Sequence, residues 1–229
     1  MRILAIDTST KSFCLGFYDD DRFYAYTLEL KSRLSSLITP SIQRVIMAVG
    51  LEISDIDFFC CGLGPGSFTG LRIGLATIKG LCWSIKKPVI GISSLEIIAL
   101  NASKKEGYIV VLLDAKRGLV YCGIYKSKNG LLTRVMQESL LKPQDLFRKI
   151  NSVAKDNRVS FLGDAVELYR KDIFLNVPAA ELLDSGYWYP QPQIMLEAAL
   201  KQIKKKKFSD IHKIQPLYLY PAHCQVRKN

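Results

Sequence analysis

Histidine is scarce in this chain: His212 and His223 are the only two among 229 residues. Both lie near the C-terminus without a histidine or carboxylate partner at ligand spacing, which argues against a mononuclear metal centre. A Ser-His-Asp arrangement has no histidine to set beside the motif hydroxyls, and no serine stands in a Gly-x-Ser-x-Gly elbow. The six cysteines, at 14, 60, 61, 82, 122 and 224, show no Cys-x-x-Cys pair and no disulfide-like framework, so buried thiols are expected. No apolar run approaches the roughly 18 to 20 residues of a membrane span. The opening residues form a strand containing Asp7 and lack a signal-peptide apolar region, so a cytoplasmic protein with no membrane partner is expected.

What is present suits a globular protein, with 48% hydrophobic and 23% charged residues, enough to bury two cores. The net charge of +11 is spread unevenly, as +1 over 1–103, +4 over 104–189 and +6 over 190–229. Lys204, Lys205, Lys206 and Lys207 form the densest basic run. RNA phosphates would suit it, but so would water at the C-terminal end of a helix. No aromatic residues interleave with the lysines, which favours the solvated helix end.

Strand-like segments at 2–7, 12–18 and 22–30 are divided by Asp7-Thr8-Ser9-Thr10 and by the Asp19-Asp20-Asp21 turn. Leu34, Leu37, Ile38, Ile42, Val45, Ile46 and Val49 then give a helical stripe that Gly50 stops. A strand at 56–61, a helix to about 85, a strand at 88–92 and a helix over 94–103 complete a βββαβαβα order. After Lys104-Lys105-Glu106-Gly107 the pattern restarts, with strands at 108–113, 119–125 and 131–138 and an Asn129-Gly130 hairpin turn. A helix opening at Pro143, a strand at 159–162 and a helix over 193–206 follow. The expected divisions are 1–103, 104–189 and a C-terminal helix and tail over 190–229.

Residues 64 to 74 read Gly-Pro-Gly-Ser-Phe-Thr-Gly-Leu-Arg-Ile-Gly. A turn made of Gly64, Pro65, Gly66, Ser67, Phe68, Thr69 and Gly70, set between a strand and a helix, presents backbone N–H groups that suit an anion. It is not a Walker A loop, because no lysine follows a correctly spaced glycine pair. It is not the dinucleotide fingerprint either, because Gly70 comes one residue too late. The other reading is a tight turn with close helix packing, in which Gly70, Gly74, Thr77 and Ser84 form a stripe of small residues. Both stay open. Ser67 and Thr69 read as helix-capping hydroxyls. Asp7, Thr8 and Ser9 at a strand end can hold magnesium or phosphate, or can satisfy turn amides, and Asp114 occupies the matching turn of the second half.

Four segments in order, Ile3 to Ser9, the glycine run, Gly91-Ile92-Ser93-Ser94-Leu95 and Leu113 to Tyr121, resemble the TsaB (YeaZ) family over nearly the whole chain. The resemblance implies an α/β fold of two actin-like (RNase H-like, ASKHA) domains, with mixed sheets flanked by helices and the second domain smaller and degenerate. It implies that the C-terminal helix packs back on the first domain, and that Asp7 and Asp114 face one cleft. It further implies a scaffolding and activating subunit with no catalytic residues of its own. That subunit would serve a complex making N6-threonylcarbamoyladenosine at position 37 of tRNA, by dimerising with the catalytic, metal-bearing paralogue TsaD. That paralogue uses a His-x-x-x-His motif that this chain lacks.

The ATPase TsaE and tRNA are the other implied partners, with a homodimer in isolation as a further state. ATP or ADP with magnesium is the only implied cofactor, bound weakly or at a shared site. The partner surface falls on the first helix and the signature helix, through Leu34, Ile38, Gly70, Gly74 and Thr77. Phe68, Leu71, Leu75 and Ile78 are left to form the core face. Three positions depart from the family pattern: Leu34 for a histidine, Leu119 for a glutamate, and Tyr220 for the arginine of a Tyr-Leu-Arg ending. The alternative function is an autonomous small ATPase or sugar-kinase-like phosphotransferase using Asp7, Asp114 and the glycine turn. A tRNA-binding adaptor led by the lysine run is the third.

Overall fold

The computed structural model describes residues 1–29, 34–155 and 157–220, so His223 and Cys224 lie outside the described residues. The chain divides into two units, Met1–Ile97 with Pro190–Leu217, and Ile98–Tyr189 with Tyr218–Asn229.

In the first unit the strands are β1 (Arg2–Asp7), β2 (Ser12–Asp19), β3 (Arg22–Glu29), β4 (Phe58–Gly62) and β5 (Val89–Ile92). They form a mixed sheet in the order β3-β2-β1-β4-β5, with β1 antiparallel to β2 and parallel to β4. The helices α1 (Leu34–Ala48) and α2 (Phe68–Ile85) cover one face, and α3 (Ser94–Leu100) follows β5. Period-two side chains of the central strands, Leu4, Ile6, Phe13, Leu15, Phe17 and Phe59, meet helical-period side chains Ile38, Ile42 and Ile46 of α1 and Leu75, Ile78 and Cys82 of α2. Each large buried side chain contributes about 1.5 to 3 kcal/mol. Helix α6 (Pro192–Lys204) packs on β1, β2 and β3. Gly16 permits this, because a Cβ there would stand 2.9 Å from Leu196 Cδ1 and 3.0 Å from the Pro192 carbonyl.

The second unit repeats the plan with β6 (Gly107–Asp114), β7 (Val120–Lys128), β8 (Leu131–Leu141), α4 (Pro143–Ala154), β9 (Val159–Leu162), α5 (Arg170–Asn176) and β10 (Ala180–Leu182). Its order is β10-β9-β6-β7-β8, the same third-second-first-fourth-fifth sequence of strands. Two such mixed sheets flanked by helices are the actin-like arrangement. Asn129 and Gly130 both take positive φ, 53° and 73°, as a tight hairpin turn between twisted strands requires.

Two elements escape the sequence reading. Helix α5 has only seven residues and β10 three half-buried ones, too short for either periodicity to register. The strand expected from Ile56 starts at Phe58. The Ile56 N–H closes a 3-10 turn on the Ile53 carbonyl at 3.3 Å, and its side chain is buried without joining the sheet.

Candidate functional site

The glycine turn is packed against the chain's own β1–β2 turn. The Ser67 N–H donates to the Ser9 carbonyl at 2.7 Å, and Thr8 Oγ1 donates to the Gly70 carbonyl at 2.8 Å. A Cβ at Gly66 would lie 2.1 Å from Ser9 O, one at Gly70 2.1 Å from Thr8 O, and one at Gly74 2.2 Å from Thr8 Oγ1. These glycines are therefore required by close intramolecular approach. Ser67 caps α2 by accepting from the Gly70 N–H at 3.2 Å.

Asp7 lies inside this junction with no exposed surface. One carboxylate oxygen accepts from the Ser9 N–H at 2.8 Å and the Ser9 hydroxyl at 2.6 Å, and the other accepts from the Ser94 hydroxyl at 2.6 Å. Ser94 Oγ in turn accepts from the Gly64 N–H at 2.9 Å, so one carboxylate ties together the ends of β1, the glycine turn and the start of α3. A Cβ at Gly62 would fall 1.8 Å from Asp7 Oδ2, leaving no room on that side. Burial pushes the Asp7 carboxyl above its usual value, although the Ser9 and Ser94 donors oppose the shift.

The fit to a magnesium nucleotide fails at this position. Both carboxylate oxygens are taken, Thr8 and Ser9 are buried, and the Ser67 N–H of the turn is already bonded to Ser9. Among the described residues no group of three His, Cys, Asp or Glu could hold a metal ion.

Asp114 ends β6 as Asp7 ends β1, and makes the same local turn by accepting from the backbone N–H two residues on, here that of Lys116 at 2.8 Å. Its other oxygen pairs with the Lys116 ammonium, and its own N–H donates to Asp164 Oδ1 at 3.0 Å. Partial burial works against ionisation, but the Lys116 ammonium and amide outweigh it and hold Asp114 below the usual carboxylate value.

The partner residues assigned from sequence divide differently. Leu34 and Ile38 are 7% and 2% exposed and belong to the core, so they are not a partner surface. Gly70 and Gly74 face Thr8, as described above, which corrects their assignment to a partner. Conversely Phe68, expected in the core, is 39% exposed with the Arg72 guanidinium over its ring at 3.9 Å. Thr77 donates to the Ile73 carbonyl at 2.9 Å and lines a groove of about 570 Å³ between α1 and α2. Ile42, Ile46 and Met47 form its α1 wall, and Ala76, Gly80 and Leu81 its α2 wall. At Gly80 a Cβ would meet nothing within 4 Å, and Met47 and Trp83 are 66% and 76% exposed.

A family model described as "TsaD: tRNA N6-adenosine threonylcarbamoyltransferase" matches residues 29–222. The Bacillus subtilis tRNA threonylcarbamoyladenosine biosynthesis protein TsaB is 31% identical, over 99% of this chain and 97% of its own length. The chain belongs to the TsaB (YeaZ) family. The Escherichia coli TsaB is 30% identical, over 96% of this chain and 94% of its own. A Pseudomonas aeruginosa structure described as an uncharacterized protein with similarity to peptidase YEAZ superposes with a TM-score of 0.83. It is 24% identical and covers 96% of this chain and 99% of its own. YeaZ from the same species gives a TM-score of 0.78 at 23% identity, covering 95% and 99%. Both structures share the fold.

For this TsaB family member the remaining sequence-derived residues are readily placed. Lys204 ends α6, and Lys205, Lys206 and Lys207 follow it, all exposed. The five described cysteines are free and buried, and burial raises the Cys82 and Cys122 thiols to about 12, which leaves them unreactive. No helix among the described residues is long and apolar enough to cross a membrane. Sequence reasoning passed over Ser94 as the anchor of Asp7, and over Met47, Gly80 and Trp83 as surface. Gly80 and Trp83 carry a legible signal, since both fall off the 71-75-78-82 stripe.

Proton linkage runs in opposite directions for the two TsaB turn aspartates. The fold favours protonated Asp7, so its contribution is largest below the unfolded value near 3.8 and falls as pH rises through the raised folded value. The fold favours ionised Asp114, so its contribution is present above the unfolded value and is lost as pH falls through the lowered one. In urea titrations between about pH 3 and about pH 7, the stability gap between wild type and Asp7→Asn should narrow as pH rises, and that for Asp114→Asn should widen. Gaps that ran in parallel would refute this assignment.

Proposed function

We propose that this chain is a cytoplasmic, non-catalytic subunit of the machinery for tRNA threonylcarbamoyladenosine biosynthesis, working as a heterodimer with TsaD. The curated relatives named above carry the pathway in their names. The observation that carries the subunit role is the open apolar groove between α1 and α2, with Gly80 presenting bare backbone on its rim. An exposed glycine in a helix interior costs roughly 0.5 to 1 kcal/mol against alanine, and no contact among the described residues requires it. A neighbouring helix that approaches α2 closely does require it. TsaD enters as the partner, with TsaE and tRNA joining through that pair, and a second copy of this chain would fill the groove when TsaD is absent. The sealed state of Asp7 supports leaving the chemistry to the partner and speaks against an autonomous phosphotransferase.

Gly80→Glu should weaken association with TsaD at least about tenfold in sedimentation velocity, because a charge must be desolvated in the contact. The melting temperature of the subunit alone should not fall, since the new side chain points into open space and relieves an exposed helical glycine. Undiminished association would remove the groove as the interface. Reconstitution of the modification with and without this subunit tests the reading as a whole, and full-rate product in its absence would overturn it.

A further inference from the structure

The two helices that wall the groove carry charge of one sign. Neither α1 nor α2 contains an aspartate or glutamate, in a chain that has 21 of them, and the acid-free stretch around α2 runs from Phe58 to Leu95. What these helices do carry is cationic. Arg44 is exposed on α1, three residues before Met47 of the groove wall, and Arg72 is exposed on α2, four residues before Ala76. Such spacings put both positions one helical turn from the groove. Lys79 adjoins Gly80 and lines a neighbouring hollow of about 370 Å³ with Trp83 and His212. Glu52, the one carboxylate among the groove-lining residues, lies beyond the last turn of α1.

The apolar walls and the small residues Ala76 and Gly80, one turn apart, admit a helix without deciding whose it is. Charge distinguishes the candidates. A closed contact between two copies of one chain is isologous, so α1 and α2 of one copy meet α1 and α2 of the other. Whichever helix lies on which, Arg44, Arg72 and Lys79 then face helices that hold only cations, and each copy brings a net charge of +11. Like charges closed into a contact weaken it, most strongly at low salt. A helix with carboxylates flanking its apolar stripe turns the same three positions into attraction.

We propose that these cations select the occupant of the groove: a helix of a different chain, with carboxylates beside its apolar stripe, is admitted, and a second copy of this chain is disfavoured. The inference rests on the reading of the groove as the partner surface and adds what decides between partners. Specificity here comes from repulsion of the wrong partner as much as from attraction of the right one. A second copy fills the groove only against that repulsion. Applied to TsaD, the proposal requires aspartate or glutamate on its docking helices opposite Arg44 and Arg72.

Sedimentation velocity of the full chain, alone and with TsaD, tests this between about 50 mM and about 500 mM salt. Association with TsaD should weaken as salt rises, while self-association should strengthen or stay absent throughout. Arg44→Glu should weaken the heterodimer on the order of tenfold at low salt and should favour self-association. Arg72→Glu should act in the same direction, and Arg44→Gln should fall between Arg44→Glu and wild type. Lys171→Glu, an exposed change of equal charge on α5 of the second unit, controls for net charge and should leave both associations nearly unchanged. Arg44 and Arg72 are exposed, and melting of each variant alone checks that it is folded. A heterodimer that tightens with salt, a homodimer that loosens with it, or equal effects of Arg44→Glu and Lys171→Glu would overturn the selection. The groove reading fails separately, when Gly80→Glu leaves association with TsaD intact. Loss of association in Gly80→Glu with none in Arg44→Glu keeps the groove as the interface and removes only its choice by charge.

Discussion

Gly70→Ala should destabilise the first unit by about 3 kcal/mol or more, seen as a fall in melting temperature on the order of 10 °C. The single added methyl would sit 2.1 Å from the Thr8 carbonyl oxygen, far inside van der Waals contact. Neither partner can yield cheaply. Gly70 is held at the first turn of α2, where its N–H reaches Ser67 Oγ at 3.2 Å, and its carbonyl accepts from Thr8 Oγ1 at 2.8 Å. Thr8 follows directly on the central strand β1, so moving its carbonyl away would shift the strand. Gly74→Arg belongs to the same class, since its Cβ would meet Thr8 Oγ1 at 2.2 Å, and it should impair folding before it affects any partner. Gly80→Ala is the control. With nothing within 4 Å it should stabilise the isolated subunit by roughly 0.5 to 1 kcal/mol. Equal melting temperatures for Gly70→Ala and wild type would refute the placement of the β1–β2 turn.

Asp7→Ala should cost about 3 to 5 kcal/mol in urea denaturation, the second large effect. Removing the carboxylate leaves the Ser9 N–H, the Ser9 hydroxyl and the Ser94 hydroxyl without their acceptor in a site closed to water. It also opens a void where three chain segments meet. Asp7→Asn should recover about half of the loss. The amide keeps the shape and one carbonyl acceptor, but its NH2 must then face Ser94 Oγ, which already accepts from the Gly64 N–H. A loss below about 1 kcal/mol for Asp7→Ala would show that this carboxylate is not the tie between β1, the glycine turn and α3.

The division between sequence and structure follows from the range of the forces involved. Local signals reached the order of elements. Alternation in Leu4, Ile6, Phe13 and Leu15, the helical stripe of Leu71, Leu75, Ile78 and Cys82, and the Asn129-Gly130 turn each report a conformation set within a few residues. The glycine run was legible as a strand, turn and helix start for the same reason. What filled the space beside those glycines was not, because Thr8 and Ser9 meet Gly66, Gly70 and Gly74 across about 60 residues of chain.

That long-range contact reverses several residue assignments. Gly70 and Gly74 read equally well as bare surface or as close packing, since the absence of a side chain does not say what stands opposite. Leu34 and Ile38 read as part of an apolar stripe wide enough for both core and partner, and only the sheet beneath α1 decides which side is covered. Asp7 looked like a ligand because a strand-end carboxylate is one in many sites; Ser94, 87 residues away, takes the oxygen a ligand would need. The sequence alone determined the family and the βββαβαβα order, both of which depend on residue types and short spacings. The tertiary structure alone decided which glycines are internal and which are exposed, because that depends on the atoms brought opposite each Cα by the fold.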